Sequence, residues 1–225
     1  MTALPDSFFN RDACQLAREL IGKVIRRKLG RLWLSARIIE TEAYYLDEKG
    51  SHAALGYTRK RRALFMDGGT IYMYHSQGGD SLNFSAAGPG NAVLIKSALP
   101  WLDEVSGPRS LARMQELNPD AQGNPRDPRK LCAGQALLCR SLNLKVADWD
   151  AQGFDPARLY VQNVGASPGR LLNAPRLGIP AGRDEHLFYR YVDPEYATCS
   201  TRNPMRRGQQ QGRDYVLVDI QGTIL

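Results

Sequence analysis

The chain has 225 residues, and only three of them are histidine and four cysteine. The cysteines are Cys14, Cys132, Cys139 and Cys199, and none forms a C-x-x-C pair. A structural zinc site needs about four clustered Cys or His ligands, so no metal site is expected and the thiols are read as buried and reduced. No apolar run approaches the roughly 20 residues of a membrane span. The opening MTALPDSFFNRD lacks the charged start and apolar core of a secretory signal, so a cytoplasmic protein is expected. Repeats and a clear domain boundary are also missing. Strands and helices do not alternate regularly, which argues against a doubly wound parallel fold.

Hydrophobic residues make up 43% of the chain, a globular proportion, and its length suits one large domain. Thirty Lys and Arg stand against 23 Asp and Glu, giving a net charge of +7. That balance favours a polyanionic partner, most simply nucleic acid. A basic surface that binds nothing is the plain alternative.

Residues 12–21 carry Ala13, Leu16, Ala17, Leu20 and Ile21 at helical spacing, with Asp12 or Asn10 as cap and Gly22 as stop. VIRRKLGRLWLSARIIETEAYY breaks at Leu29-Gly30, which predicts a hairpin. Residues 46–62 read as a polar loop ending in YTRKRR. TIYMYHSQGGDSLNFSAAG reads as strand, turn at Gly78-Gly79, strand. NAVLIKSAL (91–99) is a buried strand holding one charge, Lys96. Helices are expected over about 110–117 and in LCAGQALLCRSLNL, the second opened near a glycine, and short strands in APRLGI, HLFYRYV and DYVLVDIQGTIL. The mix predicts an α+β fold around one largely antiparallel sheet.

Within IIETEAYY, strand alternation puts Ile38, Glu40, Glu42 and Tyr44 on one face, with Ile39, Thr41, Ala43 and Tyr45 on the other. Two carboxylates about 7 Å apart repel each other, and burial adds to that cost. A carboxylate so placed is suited to act as a general base. The same pattern also fits an exposed strand with two solvated acids, and alternation alone does not choose.

The wider context does. Glu40–Tyr44 (ETEAY) is followed by His52, a basic loop, FMDGGTIYMY, Leu82-Asn83, AVLIKSALP, LCAGQALLCRSLNL and APRLGI. In that order, over roughly residues 8–190, the chain resembles the alkyladenine DNA glycosylase family, the 3-methyladenine-type base-excision repair enzymes. The resemblance implies a single domain with a curved sheet, flanking helices and a protruding β-hairpin that inserts into DNA. It implies base flipping, in which a damaged purine of double-stranded DNA leaves the stack for a pocket. Tyr44, His52 and Tyr74 would stack that base, and Glu42 would be the general base for the attacking water. Glu40 would be a structural neighbour.

Asn83 matches the residue that crowds the amino group of guanine, although an asparagine closing the hairpin turn is an equal reading. Lys96 stands where the family has arginine, and would contact a phosphate or the nucleophilic water. Gln77 stands where a tyrosine fills the gap left by the flipped base, with His75 as the alternative wedge. Arg59, Lys60 and Arg61 replace a Pro-Arg-Asn run and are expected on phosphates, as is the Gly134 amide. The implied enzyme is monomeric and monofunctional, with neither metal nor organic cofactor. Two alternatives stay open: a binding module of this fold that has lost catalysis, and a hydrolase of another nucleobase substrate. Residues 202–225 lie outside the resemblance.

Overall fold

Alternating apolar residues and turn glycines fill the first half of the chain, and in the computed structural model they build five strands of one open, nine-stranded sheet that the second half completes. The structure describes residues 2–76 and 78–225. Two helices lead in, α1 (Asp6–Phe9) and α2 (Ala13–Leu20). Asp12 caps α2 by accepting from the Gln15 amide at 3.0 Å, and Ala13, Leu16, Ala17 and Leu20 form its buried stripe.

Strands β1 (Val24–Leu29) and β2 (Leu32–Tyr44) form the first hairpin, turned at Gly30 with φ +58°. Next come β3 (Ile71–Ser76), β4 (Gly79–Ser85) and β5 (Ala92–Pro100). Four helices follow: α3 (Pro108–Leu117), α4 (Pro128–Leu131), α5 (Gln135–Ser141) and α6 (Val146–Trp149). Four short strands end the chain: β6 (Leu159–Gln162), β7 (Leu171–Ala174), β8 (Arg190–Val192) and β9 (Val216–Val218).

All named strand pairings are antiparallel, in the order β3-β4-β5-β2-β8-β7-β9, with β1 between β2 and β6. This is the expected α+β class in one domain. Long β2 is the hub: β5 lies along one edge, while β1 and then β8 share the other. The core packs α2 and the four helices α3–α6 against the sheet, with Phe9, Phe84, Phe154 and buried Trp149 among its largest members.

The helix in LCAGQALLCRSLNL opens beside its glycine: Gly134 at φ +121°, a backbone only glycine adopts without strain, caps α5 and separates it from α4. Three local expectations change. The strand near APRLGI is LLNA, and residues 175–180 leave the sheet as a loop. HLFYRYV is strand only over its last three residues. The basic loop holds two 3₁₀ turns, Ala53–Leu55 and Arg59–Phe65. The segment after 202 is integrated: β9 pairs with β7, and Arg18 of α2 donates to the carbonyls of Ile220 and Gln221.

Candidate active site

Two irregularities in the β2–β5 ladder shape the site. Ile38 pairs with Ala98, Glu40 with Ser97, and Thr41 with Ile95. Ile39 is therefore an extra residue on β2 and Lys96 an extra residue on β5, and the second offset restores the register. Each bulge flips the alternation of its strand. Leu34, Ala36 and Ile38 face the core, and beyond the bulge so do Ala43 and Thr41, whose hydroxyl donates to the Ala17 carbonyl of α2. Glu40, Glu42 and Tyr44 face the other side. Simple alternation had grouped Ile38 with the acids; the bulge at Ile39 separates them.

Both acids are fully buried, and each has its own cation. Glu40 accepts from Arg190 Nε (2.6 Å), Ser97 Oγ (2.5 Å) and the Thr201 amide (2.8 Å). It is a structural node joining β2, β5, β8 and the C-terminal segment. Glu42 accepts from the Tyr44 hydroxyl (2.8 Å) and the Leu177 amide (3.1 Å), and Lys96 Nζ lies 3.5 Å from its Oε2. The two carboxylates are thus not an unscreened like-charged pair. A buried carboxylate needs such partners.

The three groups around Glu42 (Tyr44, Lys96 and Leu177) line a pocket of about 630 Å³, within the usual ligand range of about 300–1,000 Å³. Tyr44, His52, Tyr74, Asn83 and Lys96 all line it, brought together from β2, the following loop, β3, β4 and β5. His52 meets Tyr74 edge-on, with ring centroids 4.4 Å apart, and its Nδ1 lies 3.0 Å from the Tyr72 hydroxyl. Burial first, then the charge and hydrogen bond of Glu42, push the Tyr44 phenol well above its ordinary range, so it stays a donor. Burial, then the Arg61 and Arg183 charges, hold the His52 imidazole below the usual histidine range.

Other expected residues fall as follows. Asn83 lies inside β4, opposite Tyr72 and Leu94, and donates to the Tyr72 carbonyl at 3.1 Å; it does not close the turn. Arg59 and Lys60 are exposed, whereas Arg61 donates to the carbonyls of Gly56 (2.9 Å) and Leu55 (3.0 Å). The Gly134 amide donates to the Cys132 carbonyl at 3.0 Å. His75 is exposed and bonds Asp80 across the hairpin. Gln77 lies outside the described residues. The hairpin tip rests on α5: Arg140 donates to the Gly78 carbonyl, and Gly79 abuts Ala136. Among the described residues, no three His, Cys, Asp or Glu side chains gather to hold a metal ion, and no helix is long and apolar enough to cross a membrane.

Sequence reasoning passed over Tyr72 and Arg176. Tyr72 shares a strand face with Tyr74 and lines the pocket, so alternation could have found it. Buried Arg176 holds its guanidinium 4.5 Å from the Tyr44 ring centroid, pairs with Glu48, and donates to the Ala43 carbonyl at 2.9 Å. No local pattern marks it.

The profile of the Methylpurine-DNA glycosylase (MPG) family matches residues 7–197. The chain belongs to this family. It is 66% identical over 218 residues to a Pseudomonas aeruginosa (strain LESB58) protein named "Putative 3-methyladenine DNA glycosylase", covering 97% of this chain and 91% of the relative. A Pseudomonas savastanoi pv. phaseolicola protein of that name is 67% identical over 217 residues, covering 96% of this chain and 97% of the relative. A Methanocella arvoryzae protein, again of that name, is 31% identical over 209 residues, covering 91% and 98%. Membership of this family makes the chain a DNA glycosylase of base-excision repair, a hydrolase acting on DNA.

Proposed function

We propose that this glycosylase flips alkylated or deaminated purines out of double-stranded DNA and hydrolyses their N-glycosidic bond with a water activated by Glu42. The observation that carries this reading is one buried carboxylate held by three pocket-lining residues, Tyr44, Lys96 and Leu177, beneath walls that include His52, Tyr72 and Tyr74. Aromatic faces gain about 1–3 kcal/mol per stacked base and favour a cationic one further. Methylation on a ring nitrogen makes a purine cationic and a good leaving group. As the bond to C1′ lengthens, positive charge grows on the sugar, and the Glu42 carboxylate stabilises it.

A carboxylate offers about four acceptor positions. Tyr44 and Leu177 occupy two around Glu42, with Lys96 as an ion contact at 3.5 Å, which leaves acceptor capacity for the proton of the attacking water. Lys96 serves as the cation that fixes this carboxylate and the water beside it. Asn83, held by the Tyr72 carbonyl, screens the edge of the incoming base. The protein works as a monomer without metal or organic cofactor. The reading is tested with duplexes that each carry one lesion (3-methyladenine, 7-methylguanine, hypoxanthine or ethenoadenine), assayed for alkali-labile sites. At least one should be cleaved, and borohydride should trap no protein–DNA adduct; four uncleaved duplexes would sink the reading.

Two further results are expected. Burial, then the Arg61 and Arg183 charges, keep the His52 imidazole neutral further into the acid range than an ordinary histidine. Release of a cationic purine should hold on acidification through the ordinary histidine range and fall only below it, as the ring gains charge. His52→Phe should lose that acidic limb. The same depression means the unfolded chain takes up the proton first, so stability from this group is present above the unfolded value and lost as pH falls.

Arg59 and Lys60 are exposed beside the pocket loop. Replacing both with Ala should lower the slope of log K against log salt by about 1 per cation, measured by fluorescence anisotropy. An unchanged slope would place the phosphates elsewhere.

A further inference from the structure

The chain from residue 196 to 213 holds four arginines and no acid, and neither the pocket nor its chemistry uses them. The sheet fixes where this segment lies. Residues directly opposite one another across a ladder share a face. Glu40 pairs with Val192, Val192 with Leu172, and Leu172 with Leu217. Val192, Leu172 and Leu217 join Ala197 and Tyr215 in a small apolar cluster apart from the main core. The chain after β8 therefore folds back over the face that carries Glu40 and Glu42, the face on which the pocket opens.

The segment is anchored there. The Thr201 amide donates to Glu40 at 2.8 Å, the Thr201 hydroxyl lies 3.0 Å from Ser97 Oγ, and the Arg202 carbonyl accepts from Arg190. Pro204 is buried, and the Met205 amide donates to Asn203 Oδ1 at 2.8 Å. The backbone is thus held, whereas Arg202, Arg206 and Arg207 are exposed. Among the described residues none of these three guanidinium groups is in an ion pair, while Arg213 pairs with Asp214. Clustered cations without counter-charges repel one another, and a polyanion relieves that repulsion.

A second basic group lies across the pocket. Exposed Arg59 and Lys60 open the 3₁₀ turn Arg59–Phe65, which packs on β3 and β4. Ala63 and Leu64 of that turn cluster with Tyr72, on the pocket face. One face of the sheet thus carries, in order, this turn over β3 and β4, the pocket over β4, β5 and β2, and the C-terminal segment over β8, β7 and β9. At about 4.8 Å per strand spacing the row is roughly 30 Å wide, close to one turn of DNA at about 34 Å.

We infer that Arg202, Arg206 and Arg207 hold the phosphates of the duplex flank on the side of the pocket away from Arg59 and Lys60. Phosphate contacts fix the position of a protein on DNA without reading its sequence, and the planar fork of arginine suits them. The damaged nucleotide then enters the pocket between two basic clamps, the second supplied by a segment outside the family resemblance.

This inference rests on the glycosylase reading, and its test keeps the two apart. The arginines act on affinity, so binding is measured, by fluorescence anisotropy against salt on a duplex with an abasic analogue at its centre. Arg202→Ala/Arg206→Ala/Arg207→Ala should lower the slope of log K against log salt by about 2–3, at about 0.9 per lost contact, and weaken binding about ten-fold or more at physiological salt. Arg202→Lys/Arg206→Lys/Arg207→Lys keeps the charge and should stay within about 1 of the wild-type slope. Cutting the duplex to about three base pairs on one side of the analogue removes the phosphates of that flank. One such truncation should lower the wild-type slope and leave that of the Ala variant unchanged; the opposite truncation should lower both. An Ala variant with the wild-type slope would give the arginines to another partner and overturn the inference. So would a Lys variant as weak as the Ala variant, or an Ala variant as sensitive as wild type to both truncations. A wild-type protein that cleaves a lesion duplex while any of these holds leaves the glycosylase reading standing; one that cleaves none overturns that reading and the inference with it.

Discussion

Glu42→Gln should remove base release almost completely while sparing recognition. Single-turnover excision falls by about 10³-fold or more, since both proton acceptance and charge stabilisation at the sugar are lost. Affinity for a duplex holding a flipped abasic analogue stays within a few-fold of wild type. The reason is geometric: Glu42 is fully buried and meets the pocket through Tyr44, Lys96 and Leu177, whereas the proposed phosphate contacts, Arg59 and Lys60, are exposed. Glutamine keeps the size of the side chain and an oxygen to accept from Leu177 or Tyr44. It removes the negative charge facing Lys96 at 3.5 Å, so a modest loss of about 1–3 kcal/mol in stability accompanies the substitution. Thermal unfolding monitors that part separately. A Gln variant with ordinary activity would take the general base away from Glu42.

Much of the site could be read from the sequence because its residues sit on regular elements. Tyr44, Tyr74, Asn83 and Lys96 come from strands whose limits were visible as apolar runs between turn glycines, and all four reach one pocket with His52. The paired bulges were not readable. Lys96 in an apolar strand was a hint, but nothing local says that Ile39 and Lys96 each lack a partner in the ladder. The ligands of the two acids were hidden for another reason. Arg190 and Leu177 lie 150 and 135 residues from Glu40 and Glu42, and only the folded sheet joins them. Gly134, by contrast, was legible: the glycine in LCAGQALLCRSLNL marks where α5 opens, at φ +121°.

The second large effect belongs to Glu40. Arg190→Met should destabilise the protein by about 3–5 kcal/mol, because it strands a buried carboxylate with only Ser97 and the Thr201 amide as donors. At about 2–4 °C per kcal/mol for a chain of this size, the melting temperature falls by about 10 °C. Arg190 also donates to the Arg202 carbonyl at 2.5 Å, so its loss frees the C-terminal segment at two points, Thr201 through Glu40 and Arg202 directly. Limited proteolysis should then cut residues 202–225 first. The Glu40→Gln/Arg190→Met double variant should recover part of the loss, since the stranded charge is gone with its partner. Glu40 and Glu42 are two residues apart on one strand face, yet the cations beside them divide their roles. Below its melting temperature, Arg190→Met should keep excision near wild type, whereas Glu42→Gln stays folded and inactive. A variant at Arg190 that remained fully stable but lost catalysis would reverse that division and make Glu40 part of the chemistry.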